Sequence, residues 1–294
     1  MEPNVCNEPQ TTTNPFAFIK TPNKLKGLIN ANKILNLDRS NKKFLIFIYS
    51  AIKVGSTSLV SSLRTFMANI CDIIHVHDET TLNVLGRIYN ISVNELVLYN
   101  KFIGRNVIVI DSYRSPIERK ISIFFEKVAC YHFNTTDEEV NKYGLSRIVK
   151  RFNDICVYLG NDDHFIDKYD IPIPAQFNHA DKYLSVEHNC IRYVKLRLKD
   201  SAQWGQILSS ILGHKIVIVK DYESINKPIK DLYVNFKRSY SIPKNILDEL
   251  MKCKYLNYYY STKELEEYYA DWSKRSSVPI NYFTPADRDW ETVI

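Results

Sequence analysis

Two short segments of this chain set a cation beside hydroxyls in an order that suits a bound oxyanion. The first is Ser50-Ala51-Ile52-Lys53-Val54-Gly55-Ser56-Thr57-Ser58. It follows the apolar run Phe44–Tyr49 and precedes Leu59, Val60, Leu63, Phe66, Met67 and Ile70 at helical spacing. A strand, a small-residue turn and a helix start make an anion trap. The first helical N–H groups lack internal partners, and the helix dipole favours negative charge there. Gly55 lets the backbone approach a ligand closely. Ser56, Thr57 and Ser58 add hydroxyl donors, and Lys53 a mobile positive charge. The order is not that of the triphosphate-binding loop GxxxxGK[ST], because here the lysine precedes the glycine.

The second segment is Asp111-Ser112-Tyr113-Arg114-Ser115-Pro116, with Ser122 eight residues after Arg114. Arg114 falls at the carboxyl end of the run Val107–Ile110, where open α/β sheets bind ligands. A guanidinium and a hydroxyl suit a phosphate. Taken alone, each segment also fits a capped helix after a strand. A third group is Ile74-His75-Val76-His77-Asp78-Glu79. Residues two apart on a strand share a face, so His75 and His77 are expected to point together at the edge that carries Lys53 and Arg114. Imidazole is the side chain that titrates nearest neutrality. His77, nearer the strand end, is the expected base, ahead of His75, with Glu79 third. His-x-His with Asp78 also reads as a fragment of a metal site, but no further ligand cluster accompanies it.

The elements that position these groups alternate. Phe44–Tyr49, Ile73–Val76 and Val107–Ile110 are short apolar runs of buried-strand type. Helical patterns follow, with Leu82, Leu85 and Ile88 on one face, then Val93–Tyr99. A stronger one opens at Pro116, well placed for a first turn, and carries Ile117, Ile121, Phe124, Phe125 and Val128. Further on, 146–158 reads as a helix, 191–198 as a strand, 204–212 as a helix and 216–219 as another buried strand. The last third is helical over about 228–237, 244–252 and 262–274. Strand–helix alternation predicts βαβ units and a parallel sheet. Residues 1–40 are expected to form a partly ordered arm leading into a short basic helix, and 41–294 a single domain.

Composition bounds the partners. With 45% hydrophobic and 13% aromatic residues, the 294-residue chain is globular rather than disordered. Net charge is +6, spread along the chain. That balance suits an anionic ligand, and no Lys/Arg run of nucleic-acid type is present. Six cysteines form no CxxC pair, so free thiols are expected in place of zinc or a disulfide framework. No apolar stretch reaches the ~18 residues of a membrane helix, and the polar start lacks a signal core. A soluble, cytoplasmic protein is the expectation; oligomeric state is not legible.

Together the two anion segments resemble the sulfotransferases that use 3′-phosphoadenosine 5′-phosphosulfate. Lysine, one residue, glycine and then Ser/Thr after a first strand is similar to their 5′-phosphosulfate loop. A later strand ending in arginine, with serine eight residues on, is similar to their 3′-phosphate motif. The form Arg114-Ser115-Pro116-Ile117-Glu118-Arg119 looks most like the carbohydrate and capsular-polysaccharide branch. Leu196-Arg197-Leu198-Lys199-Asp200 with Trp204, and Tyr260-Ser261-Thr262-Lys263-Glu264 with Trp272, resemble its C-terminal half. The resemblance covers about 44–275, and 44–125 is its specific part. The proline that often precedes the loop lysine is Ile52 here. What the resemblance implies is a P-loop-like three-layer α/β sandwich with a helical C-terminal part. Lys53, Val54, Gly55, Ser56, Thr57 and Ser58 would hold the 5′-phosphosulfate, with Lys53 at the oxygen leaving sulfur. Arg114 and Ser122 would hold the 3′-phosphate, and Lys274-Arg275-Ser276-Ser277 would be a basic loop near the adenine. The acceptor would be a hydroxyl, of a carbohydrate first, with no metal and no nucleic-acid partner. Two alternatives stay open: another nucleotide-dependent transferase or kinase, and a non-catalytic binding protein on the same fold.

Overall fold

The computed structural model describes residues 16–155, 164–220 and 228–275. The chain divides into two compact units, the first built from 1–113 and 163–221, the second from 114–162 and 222–294.

The first unit contains α1 (Pro22–Ile34), β1 (Phe44–Tyr49), α2 (Ser56–Met67), β2 (Cys71–Val76), α3 (Glu79–Gly86), α4 (Val93–Phe102) and β3 (Asn106–Tyr113). The second contributes α5 (Pro116–Phe124), α6 (Asp137–Val140) and α7 (Leu145–Ile155). The chain returns to the first unit with α8 (His164–Lys168), β4 (Tyr183–His188), β5 (Ile191–Arg197) and α9 (Trp204–Leu212). It ends in the second with α10 (Lys230–Ser239), α11 (Lys244–Leu250), α12 (Lys254–Tyr259) and α13 (Thr262–Ser273). The fold is α/β, as the alternation predicts: a mostly parallel five-stranded sheet with helices, and a helical C-terminal region. No helix among the described residues is long and apolar enough to cross a membrane.

The sheet order is β2-β1-β3-β5-β4. β1 pairs in parallel with β2 on one side and β3 on the other, and β3 pairs in parallel with β5. The chain therefore reverses its direction of travel across the sheet at β1, so the crevice beyond the carboxyl ends of β1 and β3 is a topological switch point. On one face Ile46, Ile48, Ile110, Val194 and Leu196 pack with Leu59, Leu63, Trp204 and Leu208 of the flanking helices. The other face carries charge. Asp111 and Lys195, opposite one another in the β3–β5 register, form an ion pair of 2.5 Å with both side chains almost wholly buried. The Lys195 ammonium also lies 5.0 Å from the Phe165 ring centroid.

The expected strand at 216–219 is not formed. Residues 215–220 belong to no helix or strand. The backbone N–H groups of Ile216 and Val219 donate instead to the hydroxyls of Ser209 on α9 and Ser62 on α2, both at 2.8 Å. Ile216 is buried while Val217 and Val219 are exposed, so the apolar run that suggests a central strand follows helices. The expected helical stripe Leu82-Leu85-Ile88 is split, because α3 ends at Gly86 and Leu85 is exposed. In the opposite sense, β4 and α12 lie in stretches where no element was expected. β4 pairs antiparallel with β5 through a two-residue turn in which Asn189 and Cys190 have φ of 51° and 56°. That is the backbone of a type I′ hairpin. The short helix expected to follow the N-terminal arm is α1, from Pro22, and residues 1–15 of the arm lie outside the described residues. Asn32 of α1 and Asn100 of α4 exchange side-chain hydrogen bonds at 3.2 and 3.0 Å in a buried setting.

The second unit is held by aromatic rings. Phe124 meets Phe152 edge-on at 5.3 Å, and Phe236 stacks on Tyr240 at 4.9 Å. Such pairs contribute about 0.5–1.5 kcal/mol each beyond the area they bury.

Removing one member of a buried ion pair leaves the other charged and desolvated, at a cost of about 3–5 kcal/mol, whereas replacing both by apolar groups is often neutral. Asp111→Ala is expected to lower the free energy of unfolding by that amount in urea titration, and Asp111→Leu with Lys195→Met to recover most of it.

Candidate functional site

In the first unit the structure brings the Lys53–Ser58 loop and both histidines to the carboxyl edge of β1 and β2. The β1–β2 pairing runs one step past the strands, because the backbone N–H of Ser50 donates to the Val76 carbonyl at 3.2 Å. The loop then turns through two left-handed residues, Lys53 (φ 64°) and Gly55 (φ 90°). Ser112 of β3 donates its hydroxyl to the Val54 carbonyl at 2.7 Å, fixing the loop to the strand beside it. Helix α2 starts at Ser56 with Gly55 as its N-cap and no side-chain cap. Gly55 has no side chain with which to cap the first N–H groups of α2. Ser56 is buried, Thr57 exposed, and Lys53 and Ser58 lie between.

Gly55 is required here twice over. Its φ is one that side chains rarely adopt. A Cβ at this position would also lie 2.8 Å from Leu198 and 3.0 Å from Trp204. Trp204 is itself fixed, its indole N–H donating to the Arg197 carbonyl at 3.0 Å. Arg197 is held by Asp200 at 2.5 Å. Leu198 and Trp204 therefore pack against the Lys53–Ser58 loop at Gly55, a role sequence reading does not assign. The signal is weak, since contact between residues so distant in sequence leaves no local pattern.

The two histidines do share a face. Their ring centroids are 4.6 Å apart, edge to face. His77 lies just beyond β2, and its Nδ1 is 2.7 Å from the Ser50 carbonyl. A carbonyl oxygen only accepts, so Nδ1 carries the hydrogen and the lone pair of the neutral ring is on Nε2. The His77 backbone N–H donates to the Thr81 hydroxyl at 3.1 Å, inside the capping box that Asp78 and Thr81 make at the start of α3. His75 is set deeper. Its Nε2 is buried with no hydrogen-bond partner among the described residues. Burial, then the charges of His77 and Arg64, push its pKa from 6.5 down to about 4. That is a poor setting for a general base. Glu79 is committed elsewhere. Burial raises its carboxyl, but bonds from Lys168, the Val93 N–H and Tyr169 outweigh it and hold the group below its ordinary range. Tyr169 donates to Glu79 at 2.9 Å and approaches the Tyr49 hydroxyl at 3.4 Å. Glu79 thus ties α8 to the heads of α3 and α4.

In the second unit, Arg114 directly follows the end of β3, partly exposed, and Pro116 opens α5 as expected. Ser122 lies on α5 and is 6% exposed. The Ser115 hydroxyl does not cap its helix but donates to Glu118. Tyr268 and Trp272 of α13 also donate to Glu118, at 2.9 and 3.2 Å. Arg275 lies at the end of α13, 4.1 Å from the Trp272 ring, and donates to the Lys237 carbonyl at 3.0 Å. The structure gives it a helix-end packing role; Ser276 and Ser277 of the expected basic loop lie outside the described residues. Among the described residues no group of three or more His, Cys, Asp or Glu side chains is arranged to hold a metal ion.

Comparison of the chain with protein-family models, curated proteins and solved structures returns no match.

Two measurements check this geometry. Gly55→Ala is expected to lower Tm in a thermal melt, since the left-handed backbone alone costs a side chain about 1–2 kcal/mol. His75 makes stability pH-dependent. Its folded pKa lies below the unfolded value, so the unfolded chain binds protons more readily. The stabilisation is complete above about pH 6.5 and is lost as pH falls toward 4. His132, lowered to about 4 by burial and then by Arg151, acts in the same window. The readout is therefore the difference between the native protein and His75→Leu, whose profile is expected to be flatter between pH 4 and 6.5.

Proposed function

We propose that this protein transfers a sulfuryl group from 3′-phosphoadenosine 5′-phosphosulfate to a hydroxyl, with a carbohydrate as the acceptor class. The observation that carries the reading is the Lys53–Ser58 loop. It lies at the switch point of a parallel sheet, is fixed by Ser112 to β3 and opens a helix with no side-chain cap. Its residue order resembles the phosphosulfate loop of that enzyme family. Arg114 and Ser122 match the family's 3′-phosphate motif in type and spacing.

The chemistry asked of the protein is modest. In sulfuryl transfer, as in phosphoryl transfer, positioning and electrostatics do most of the work. Lys53 and the N–H groups of α2 would stabilise the charge developing on the oxygen that leaves sulfur. His77 would take the proton of the acceptor hydroxyl at Nε2, with its tautomer set by the Ser50 carbonyl. His75 is better placed to pack beneath His77 than to react. Mild overall positive charge, +6, favours an anionic acceptor over a neutral one.

The test is a thermal-shift titration with 3′-phosphoadenosine 5′-phosphate, against ATP. Binding to the folded state alone stabilises by ~2.7 kcal/mol at a hundred times Kd. The shift is expected with the 3′-phosphorylated nucleotide and is expected to be lost in Lys53→Ala and Arg114→Ala. His77→Gln is expected to keep the shift but to lower kcat by about 10²–10⁴. A shift with ATP alone replaces the reading with another nucleotide-dependent transferase. Silence with both replaces it with a non-catalytic protein on this fold.

A further inference from the structure

Glu118 of α5 collects three donors from two directions. Ser115, its own helix's N-cap, donates through its hydroxyl, while Tyr268 and Trp272, one turn apart on α13, donate at 2.9 and 3.2 Å. Both α13 residues are well enclosed: Trp272 is 3% exposed, and burial, then the Glu118 charge, raises the Tyr268 hydroxyl well above its ordinary pKa. A carboxylate only accepts, so the three donors fix its orientation without competition.

The position of Glu118 gives this arrangement a purpose. It is the third residue of α5, where a glutamate would ordinarily complete a capping box while the N-cap serine accepts a backbone N–H. Ser115 does not do so; it has no capping hydrogen bond and is held by Glu118. The hydroxyl that would cover the helix's first N–H groups is drawn off them, and those groups lie next to Arg114 in the chain. Pro116 fixes the next backbone torsion and confines Ser115, at φ −53° and ψ 140°, to the extended region. The turn carrying Arg114 is thus set by a proline ring, a sequestered hydroxyl and two donors on a distant helix.

We infer that Glu118 is a positioning residue: with Tyr268 and Trp272 it holds the Arg114–Pro116 turn open for a nucleotide 3′-phosphate. This rests on the nucleotide reading above. Glu118 touches no nucleotide in this account and acts through Ser115 and Arg114. A glutamate that served stability alone would leave nucleotide selectivity unchanged.

The experiment measures Kd by calorimetry for 3′-phosphoadenosine 5′-phosphate and for AMP, which lacks the 3′-phosphate. It uses the full chain, Glu118→Gln and Tyr268→Phe, with a thermal melt of each. Tyr268→Phe removes one donor from α13 without altering α5, which keeps the test informative if Glu118→Gln folds poorly. The expected result is a loss of about tenfold or more in affinity for the 3′-phosphorylated nucleotide in Glu118→Gln, on the scale of one charge-assisted hydrogen bond. Tyr268→Phe is expected to show a smaller loss in the same direction, and AMP affinity to stay unchanged in both. Equal losses for the two nucleotides, or an unchanged ratio, overturn the positioning role while leaving the nucleotide reading intact. A native protein that does not prefer the 3′-phosphorylated nucleotide overturns both.

Discussion

The pair Asp111–Lys195 is the constraint around which the first unit is organised. Two opposite charges withdrawn from water at the centre of a parallel sheet are tolerable only when they meet, so β3 and β5 can associate stably in one register. That register sets where both strands end. β3 finishes at Tyr113, delivering Ser112 to the Val54 carbonyl and leaving Arg114 as the next residue. β5 finishes at Arg197, whose carbonyl receives the Trp204 indole and so brings that ring under Gly55. Sliding either strand by one residue would turn a charge into the apolar layer of Ile110, Val194 and Leu196.

Within each unit, polar side chains gather into hydrogen-bonded networks. Glu79, Lys168, Tyr169 and Tyr49 satisfy one another, and Glu118 is satisfied by three donors. These networks tie helices together. The α2 amino terminus, by contrast, is presented without a side-chain cap. Rigid supports around a helix terminus that has no side-chain cap are the arrangement electrostatic preorganisation requires. The same logic separates the two histidines. One ring is desolvated and driven away from protonation; the other is oriented through a backbone carbonyl at a strand end.

Much of this was legible from residue types. β1 matches Phe44–Tyr49 and α9 matches Trp204–Leu212, because apolar runs and stripes bounded by small residues leave little choice. Pro116 marks the start of α5 for a backbone reason that needs no tertiary contact. The misses are those where the deciding partner is far away in sequence. Ile216–Val219 has strand composition, yet hydroxyls on two helices take its N–H groups. The β4–β5 turn has Cys190 where a glycine would have announced it. The loop and the strand-end arginine stood out by type and spacing, whereas the residues that brace the loop, Ser112 and Trp204, carry no local signature. Arg275 was singled out for its charge, and it lies over the Trp272 ring and donates to the Lys237 carbonyl.

The fit of Gly55 against Leu198 and Trp204 bears on how this loop can drift over generations. A motif glycine is usually taken as a mark left by the ligand, kept because a phosphate must come close. Here the neighbouring side chains and the backbone torsion disfavour any other residue whether or not a ligand ever arrives. A descendant whose loop met no ligand would still be favoured to keep glycine at 55 by its own folding, while exposed Thr57 would be at liberty to change. The exposed hydroxyl of the loop, rather than its glycine, is therefore where the presence or absence of a ligand would leave its mark.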